Sequence, residues 1–264
     1  MPASANAGVA LESVVEHLDQ LLATHDTPDY GNAVNGLQLA NRGRVHRVAA
    51  AVDFSTRSVQ GVVDARADLL LVHHGMFWPG VQAIRGAAYE RLTTLLSHDV
   101  AVYASHLPLD RHPRFGNGVL LARELGLAPT GEFGRYQTIM VGVRGEADVD
   151  TVELVSRADA FARGHGGRAV STHLAAGRRT RRWAIVTGAG ASRETMQEAM
   201  TGGIDTLIVG EGPHWSAVDA EEAGLAIVYA GHYATETTGV IGIARHLEET
   251  FGLPWSFVAA PTGL

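Results

Sequence analysis

Between Val9 and Ala23 the apolar residues fall at Leu11, Val14, Val15, Leu18, Leu21 and Leu22. That spacing predicts an amphipathic helix. Asp29–Asn41 is rich in Gly and Asn and reads as a loop with turns. From there on, short apolar runs alternate with helical patterns. Val45–Phe54 reads as a strand, Ser55 as an N-cap and Thr56–Arg66 as a helix. Leu69–Val72 is a short buried strand, Ala87–Ser97 a helix, Val100–Ala104 a strand, and Gly118–Leu125 a helix capped by Asn117. The stretch Gln137–Gly177 holds a strand, a helix over Val149–Arg163 and another strand. Trp183–Val186 is a strand, and Ser192 caps a helix running to Met200. Leu207–Val209 is a strand, Ala217–Ala223 a helix, Ala226–Tyr229 a strand and Thr235–Phe251 a last helix. The basic run Arg178–Arg182 reads as a solvated loop rather than a nucleic-acid site. Alternation of this kind predicts α/β layers with mainly parallel pairing.

The pattern also repeats itself. DFSTRSVQGVVDARADLLLVHHG, from Asp53, aligns without a gap with GASRETMQEAMTGGIDTLIVGEG, from Gly190. Ser55 then matches Ser192, Asp68 matches Asp205 and Gly75 matches Gly212. AVYASH (Ala101–His106) matches IVYAGH (Ile227–His232), and each is followed by a helix carrying Gly-Val and Ala-Arg. We therefore expect an internal duplication giving two related three-layer α/β domains, 1–130 and 131–264. The C-terminal elements are free to pack back on the first domain. Two such halves can present their strand ends to a shared cleft, where α/β proteins place their sites.

Composition narrows the chemistry. The 264 residues include no cysteine, which excludes disulfides, thiolate metal sites and cysteine nucleophiles. Any metal must be held by His, carboxylates, carbonyls or water, and 13 His are available. The net charge of −7 argues against a bulk nucleic-acid binder. The N-terminal segment lacks the basic-then-apolar order of a secretion signal. No apolar run approaches the ~18 residues of a membrane span, so the expected location is the cytoplasm.

Three clusters carry candidate chemistry, each at the C-terminal end of a predicted strand. VHHG supplies His73 and His74, with Gly75 allowing a sharp turn. SHLPLDRHPRFGN supplies His106 and Asp110 in what Pro108 makes a loop. For Asp110, a surface ion pair with Arg111 or His112 is the competing reading. GHYATETTGV supplies His232 and Glu236, four apart and on one face if helical. Imidazoles and carboxylates together suit a first-row divalent ion such as zinc, iron or manganese. A carboxylate such as Glu236 can bridge a pair of ions, which lie roughly 3.5–4 Å apart in paired sites and activate a shared water.

These three motifs, in this order, resemble the dinuclear-metal proteins of the NGG-interacting-factor type, often described as GTP cyclohydrolase type 2 homologues. The resemblance runs from NGLQLA (Asn35–Ala40) to the last strand and matches a short form without an inserted domain. It implies two interlocked α/β domains, a toroidal homohexamer and two divalent ions per chain. Carried over, His73 and Asp110 would bind one ion and His74 and His232 the other, with Glu236 bridging. His106 would ligate or shuttle protons as the catalytic acid or base. Glu211 and His214 of GEGPHW would support the loop or line the cavity.

The resulting expectation is a metal-dependent hydrolase acting on a small molecule, with opening of the GTP imidazole ring as the named reaction. No Walker-type phosphate loop supports nucleotide recognition. The alternative is a non-catalytic metal-binding or regulatory scaffold for partner proteins. The third reading, incidental histidines on a plain α/β scaffold, is at odds with ligand-type residues at three strand ends.

Overall fold

The computed structural model describes residues 8–264. The first seven residues, part of the segment read as lacking a secretion signal, lie outside the described residues. The chain divides into two compact units. One comprises the residues up to Leu109 with Val240–Ala260, the other Asp110–Gly239 with Pro261–Leu264.

In the first unit, β1 (Val9–Ala10) leads into α1 (Leu11–Leu22), followed by β2 (Gly36–Leu39), β3 (Arg44–Val45) and β4 (Val48–Asp53). Then come α2 (Thr56–Asp64), β5 (Leu69–His74), α3 (Ala87–Ser97) and β6 (Ala101–Ala104). A single turn, α4 (Leu107–Asp110), carries the chain onward. The second unit holds α5 (Asn117–Glu124), β7 (Gly131–Tyr136), β8 (Ile139–Asp150), α6 (Thr151–Gly164) and β9 (Val170–Ser171). It continues with β10 (Arg179–Val186), α7 (Arg193–Thr201), β11 (Thr206–Val209), α8 (His214–Glu222), β12 (Ala226–Tyr229) and α9 (His232–Thr235). The long α10 (Thr237–Phe251) and β13 (Trp255–Phe257) close the chain, and from Val240 on they belong to the first unit.

The sheet of the first unit has the order β13-β4-β5-β6-β2. All its pairs are parallel except the edge strand β2, which runs antiparallel to β6. β4, β5 and β6 read as continuous apolar runs because both their faces are covered. Ala49, Ala51, Leu70, Val72, Val102 and Ala104 pack on one face against Val59 and Val62 of α2 and Leu95 of α3. On β6, the hydroxyl of fully buried Tyr103 donates to Asp19 of α1 at 2.8 Å. Burial against this acceptor pushes the phenol far above its ordinary range.

The second unit builds a sheet of order β7-β8-β10-β11-β12-β9, parallel only at β10-β11-β12. Trp183, Ile185, Ile208 and Val228 pack on Leu121, Leu125 and Leu154, while Ala184, Leu207 and Ile227 pack on Met196 and Ala199. Each fully buried large apolar side chain here is worth about 1.5–3 kcal/mol.

The matched punctuation does matched work in the two units. Ser55 caps α2 by accepting from Ser58 N at 3.2 Å, and Ser192 caps α7 by accepting from Thr195 N at 3.1 Å. The Asp68 carboxylate accepts from the amides of His46 and Arg47, and that of Asp205 from the amides of Arg181 and Arg182. The two backbones also link their parallel strands alike: Ala101 N donates to Asp68 O at 2.9 Å, and Ala226 N to Asp205 O at 3.0 Å.

Several expectations need correction. Asp29–Asn41 is not loop throughout, because Gly36–Leu39 pairs as an edge strand with β6. The run Val45–Phe54 is two strands, interrupted where Asp68 takes the amides of His46 and Arg47. The basic loop Arg178–Arg182 is largely strand. In it Thr180 is buried, bonding Thr151 and Thr206, while the flanking arginines face solvent. Leu107–Asp110 is a helical turn, since Pro at the start of a turn gives up an amide that has no partner anyway. Asn117 does not cap α5; Gly116 holds that place, and the Asn117 side chain is used elsewhere. Among the described residues, no helix is long and apolar enough to cross a membrane.

Candidate metal centre

In the first unit β5 runs through His73 and His74 rather than ending before them. Both rings, with His106 just past β6, are buried. The chain turns at Gly75, whose carbonyl accepts from Trp78 N at 3.3 Å, and a Cβ there would meet the Gln38 side-chain amide.

Each of these rings is fixed through Nδ1. His73 Nδ1 lies 2.9 Å from the Ser105 carbonyl, His74 Nδ1 lies 2.8 Å from Asp53 Oδ1, and His106 Nδ1 lies 2.8 Å from Asp29 Oδ1. Carbonyl and carboxylate oxygens only accept, so Nδ1 is the donor in each of the three rings. Possible ligand atoms of His73, His74 and His106 all lie within 4.8 Å of one another, so the trio could hold a metal ion. Donation of the second ring nitrogen to a carboxylate or carbonyl is how metal-binding imidazoles are oriented and made more basic.

Asp29 is itself well anchored. Its carboxylate also accepts from Asn35 Nδ2 at 2.8 Å and from Leu107 N at 2.9 Å. Burial works against its charge, but the hydrogen bond and charge of His106, with the other donors, hold the carboxyl below its usual value. The half-buried indole of Trp78 covers this group, its centroid 4.6 Å from that of His74 and 4.5 Å from that of His106.

In the second unit His232 opens α9 and Glu236 follows it. The Glu236 carboxylate is buried, with Oε2 3.2 Å from His232 Nε2, while His232 Nδ1 donates to Glu211 Oε1 at 2.8 Å. Burial opposes a charge on His232. The hydrogen bonds and charges of Glu236 and then Glu211 outweigh it and push the imidazole up to about 10. Two carboxylates, Glu211 at Nδ1 and Glu236 at Nε2, thus face one imidazole. Gly188, at φ +60°, makes room: a Cβ there would collide with Glu236 Oε1. Its amide donates to Thr235 Oγ1 at 3.1 Å.

Asp110 is buried, and Asn117 Nδ2 donates to its Oδ1 at 2.8 Å. Asn117 Oδ1 in turn accepts from Gly239 N at 2.7 Å. Exposed His214 heads α8. Thus His73, His74 and His106 come together in one unit and His232 and Glu236 in the other, with Glu211 as the support of His232. The sequence reading passed over Asp29 and Asp53 as site residues and took Asn117 only as a helix cap. Asp53 alone left a signal, as the residue between a strand and the Ser55 cap.

A family model, Duf34/NIF3 (NGG1p interacting factor 3), matches residues 9–261. Two curated relatives, both named GTP cyclohydrolase 1 type 2 homolog, come from Deinococcus radiodurans and Pyrococcus abyssi. The first is 37% identical over 97% of this chain and 95% of its own. The second is 36% identical over 96% and 99%. Among solved structures, the chain resembles protein ybgI, described as of unknown function, with TM-score 0.87, 31% identity and coverage of 97% and 100%. It also resembles TTHA1606 from Thermus thermophilus, with TM-score 0.84, 32% identity and coverage of 97% and 100%.

Proposed function

The chain belongs to the Duf34/NIF3 family, and on that premise we propose that it is a metal-dependent hydrolase. As its ligands for two divalent ions we assign His73, His74, Asp110, His232 and Glu236, with His106 as the acid or base. The observation that carries this reading is the common orientation of the imidazoles. Each of His74, His106 and His232 gives Nδ1 to a carboxylate, and His73 gives it to a carbonyl. His46, His98 and His165, exposed or half-buried, also give Nδ1 to an oxygen, so the arrangement counts here because His73, His74 and His106 are buried with ligand atoms within 4.8 Å of one another.

Bound divalent ions supply Lewis acidity and a water of lowered pKa. The chain's residues do the rest. Asp53, Asp29 and Glu211 fix the ring planes and keep Nε2 as the basic nitrogen. His106, oriented by Asp29, accepts a proton from the attacking water or returns one to the leaving group. Trp78 excludes bulk water over His74 and His106 and presents a flat face to a planar substrate. The names of the relatives point to a nucleotide, and we propose hydrolytic opening of the GTP imidazole ring as the reaction to test first. The matched Ser caps and Asp68/Asp205 anchors support an internal duplication as the origin of the two units, and the family resemblance supports a homohexamer.

Elemental analysis of wild type beside Glu236→Ala is the test. About two ions per chain, mostly lost in the variant, is the expected result, followed by loss of the guanine imidazole absorbance when GTP is added. No metal in wild type after reconstitution with zinc, iron or manganese would overturn the reading. Two firmly held ions with no turnover of nucleotides would instead favour the scaffold.

A further inference from the structure

Beyond the metal centre, the first unit holds a second cavity, of about 310 Å³. That is the lower end of the range of small-molecule pockets. Its walls are Phe54 at the end of β4, the loop after β5 from Met76 to Ile84, and Ala88, Arg91 and Leu92 of α3. Val81 and Ile84 line it while remaining strongly exposed, a cost in apolar surface that usually marks a binding site.

The one cation of this lining is Arg91. Its Nε is buried and makes no hydrogen bond. Nη1 reaches only the Thr56 hydroxyl, at a long 3.5 Å, and the guanidinium stands 5.5 Å from the centre of the Phe54 ring. Among the described residues no carboxylate pairs with it. A half-buried guanidinium without an anion has given up hydration with little return, and an incoming carboxylate would supply the missing partner.

We propose that this cavity is a binding site for a small aromatic carboxylate, its ring between Phe54, Met76 and Ile84 and its anionic group on Arg91. The aromatic and thioether walls favour a flat body. The guanidinium favours a planar two-oxygen anion, which it can meet with two parallel hydrogen bonds. The site adjoins the metal cluster along the chain: Phe54 follows Asp53, and its amide donates to the His74 carbonyl at 2.8 Å. Occupancy would therefore be felt at the strand end that carries His74. The proposal does not depend on metal binding or on hydrolysis.

Calorimetric titration of the full chain with 2-naphthoate, and with the neutral naphthalene-2-carboxamide, tests it. The titrations are run on metal-loaded and on chelator-treated protein, so a failed metal reading cannot be mistaken for a failed pocket. Saturable binding of one 2-naphthoate per chain, tighter than the amide in both preparations, is expected. Arg91→Gln should weaken 2-naphthoate about tenfold or more, the usual worth of a charge-assisted hydrogen bond, and leave the amide unchanged. Ile84→Asp should remove both. Three results would each overturn the proposal: no saturable binding in wild type, equal affinity for acid and amide, or an Arg91→Gln variant that binds the acid as wild type does. If 2-naphthoate fails to bind and Ile84→Asp lowers the sedimentation coefficient, the face is instead covered by a second copy of the chain.

Discussion

Asp29 holds His106 twice: its Oδ1 takes the ring Nδ1 at 2.8 Å, and Asn35, bonded to its Oδ2, takes the His106 amide at 2.7 Å. The two residues lie 77 positions apart, so this link ties the loop after α1 to the end of β6. Replacing Asp29 with Ala strips an acceptor from His106, Leu107 and Asn35 together.

Unmade hydrogen bonds at buried groups cost about 1–3 kcal/mol each, and part of that is recovered by relaxation, so we expect Asp29→Ala to lose about 3 kcal/mol. Asp29→Asn keeps one good acceptor and should lose about 1 kcal/mol. Urea unfolding with an unchanged m value measures both. An Asp29→Ala midpoint equal to that of wild type would show that the network contributes nothing.

Gly188→Ala tests the space around Glu236. Gly188 sits at φ +60° with its would-be Cβ in collision with Glu236 Oε1, whereas Gly177 sits at φ +72° with nothing within 4 Å. Both substitutions carry the left-handed backbone cost of about 1–2 kcal/mol. Only Gly188→Ala should also displace the carboxylate, and so lower both the melting temperature and the metal content further than Gly177→Ala does. Equal effects of the two variants would mean that Glu236 moves aside freely.

Much of this was legible in the sequence because periodicity and punctuation act locally. The runs at Leu69 and Leu207 read as buried strands, and Ser55 and Ser192 read as caps, since both signals concern residues within one turn or strand. The histidines and Glu236 were legible because ligand-type side chains gathered at strand ends. What stayed hidden depends on distance along the chain. Asp29 reaches His106 across 77 positions, and Asn117 reaches Gly239 across 122. Nothing near either residue hints at its partner. Arg178–Arg182 misled because charge masked the alternation: Thr180 alone faces in, and one buried hydroxyl is a weak period-two signal.

Asp68 and Asp205 offer a paired test of the matching anchors in the two units. Each carboxylate takes two consecutive backbone amides, of His46 and Arg47 or of Arg181 and Arg182. Asp205→Ala and Asp68→Ala should each cost about 1–2 kcal/mol, as does the loss of a comparable cap. Hydrogen exchange should show the loosening at residues 181–182 in the first variant and at residues 46–47 in the second. Faster exchange of both pairs in either variant would show that the anchors are not local.

Asp53 separates orientation of a ring from stability of the fold. It accepts from His74 Nδ1 at 2.8 Å, yet its side chain is 35% exposed. Water can therefore replace much of what the hydrogen bond contributes to folding, and Asp53→Asn should change stability by less than about 1 kcal/mol. Its effect on a metal bound at His74 should be much larger. An amide presented to Nδ1 no longer enforces the tautomer with the lone pair on Nε2, and it donates no negative charge to make the ring more basic. Loss of such a support typically weakens metal binding about 10–100-fold. Competition with a chelator of known affinity, run beside thermal unfolding of the metal-free chain, reads the two quantities separately. A weakened site on an unchanged fold is the expected pattern. Metal affinity equal to that of wild type would remove Asp53 from the support of His74, and a matching fall in both quantities would make its role structural.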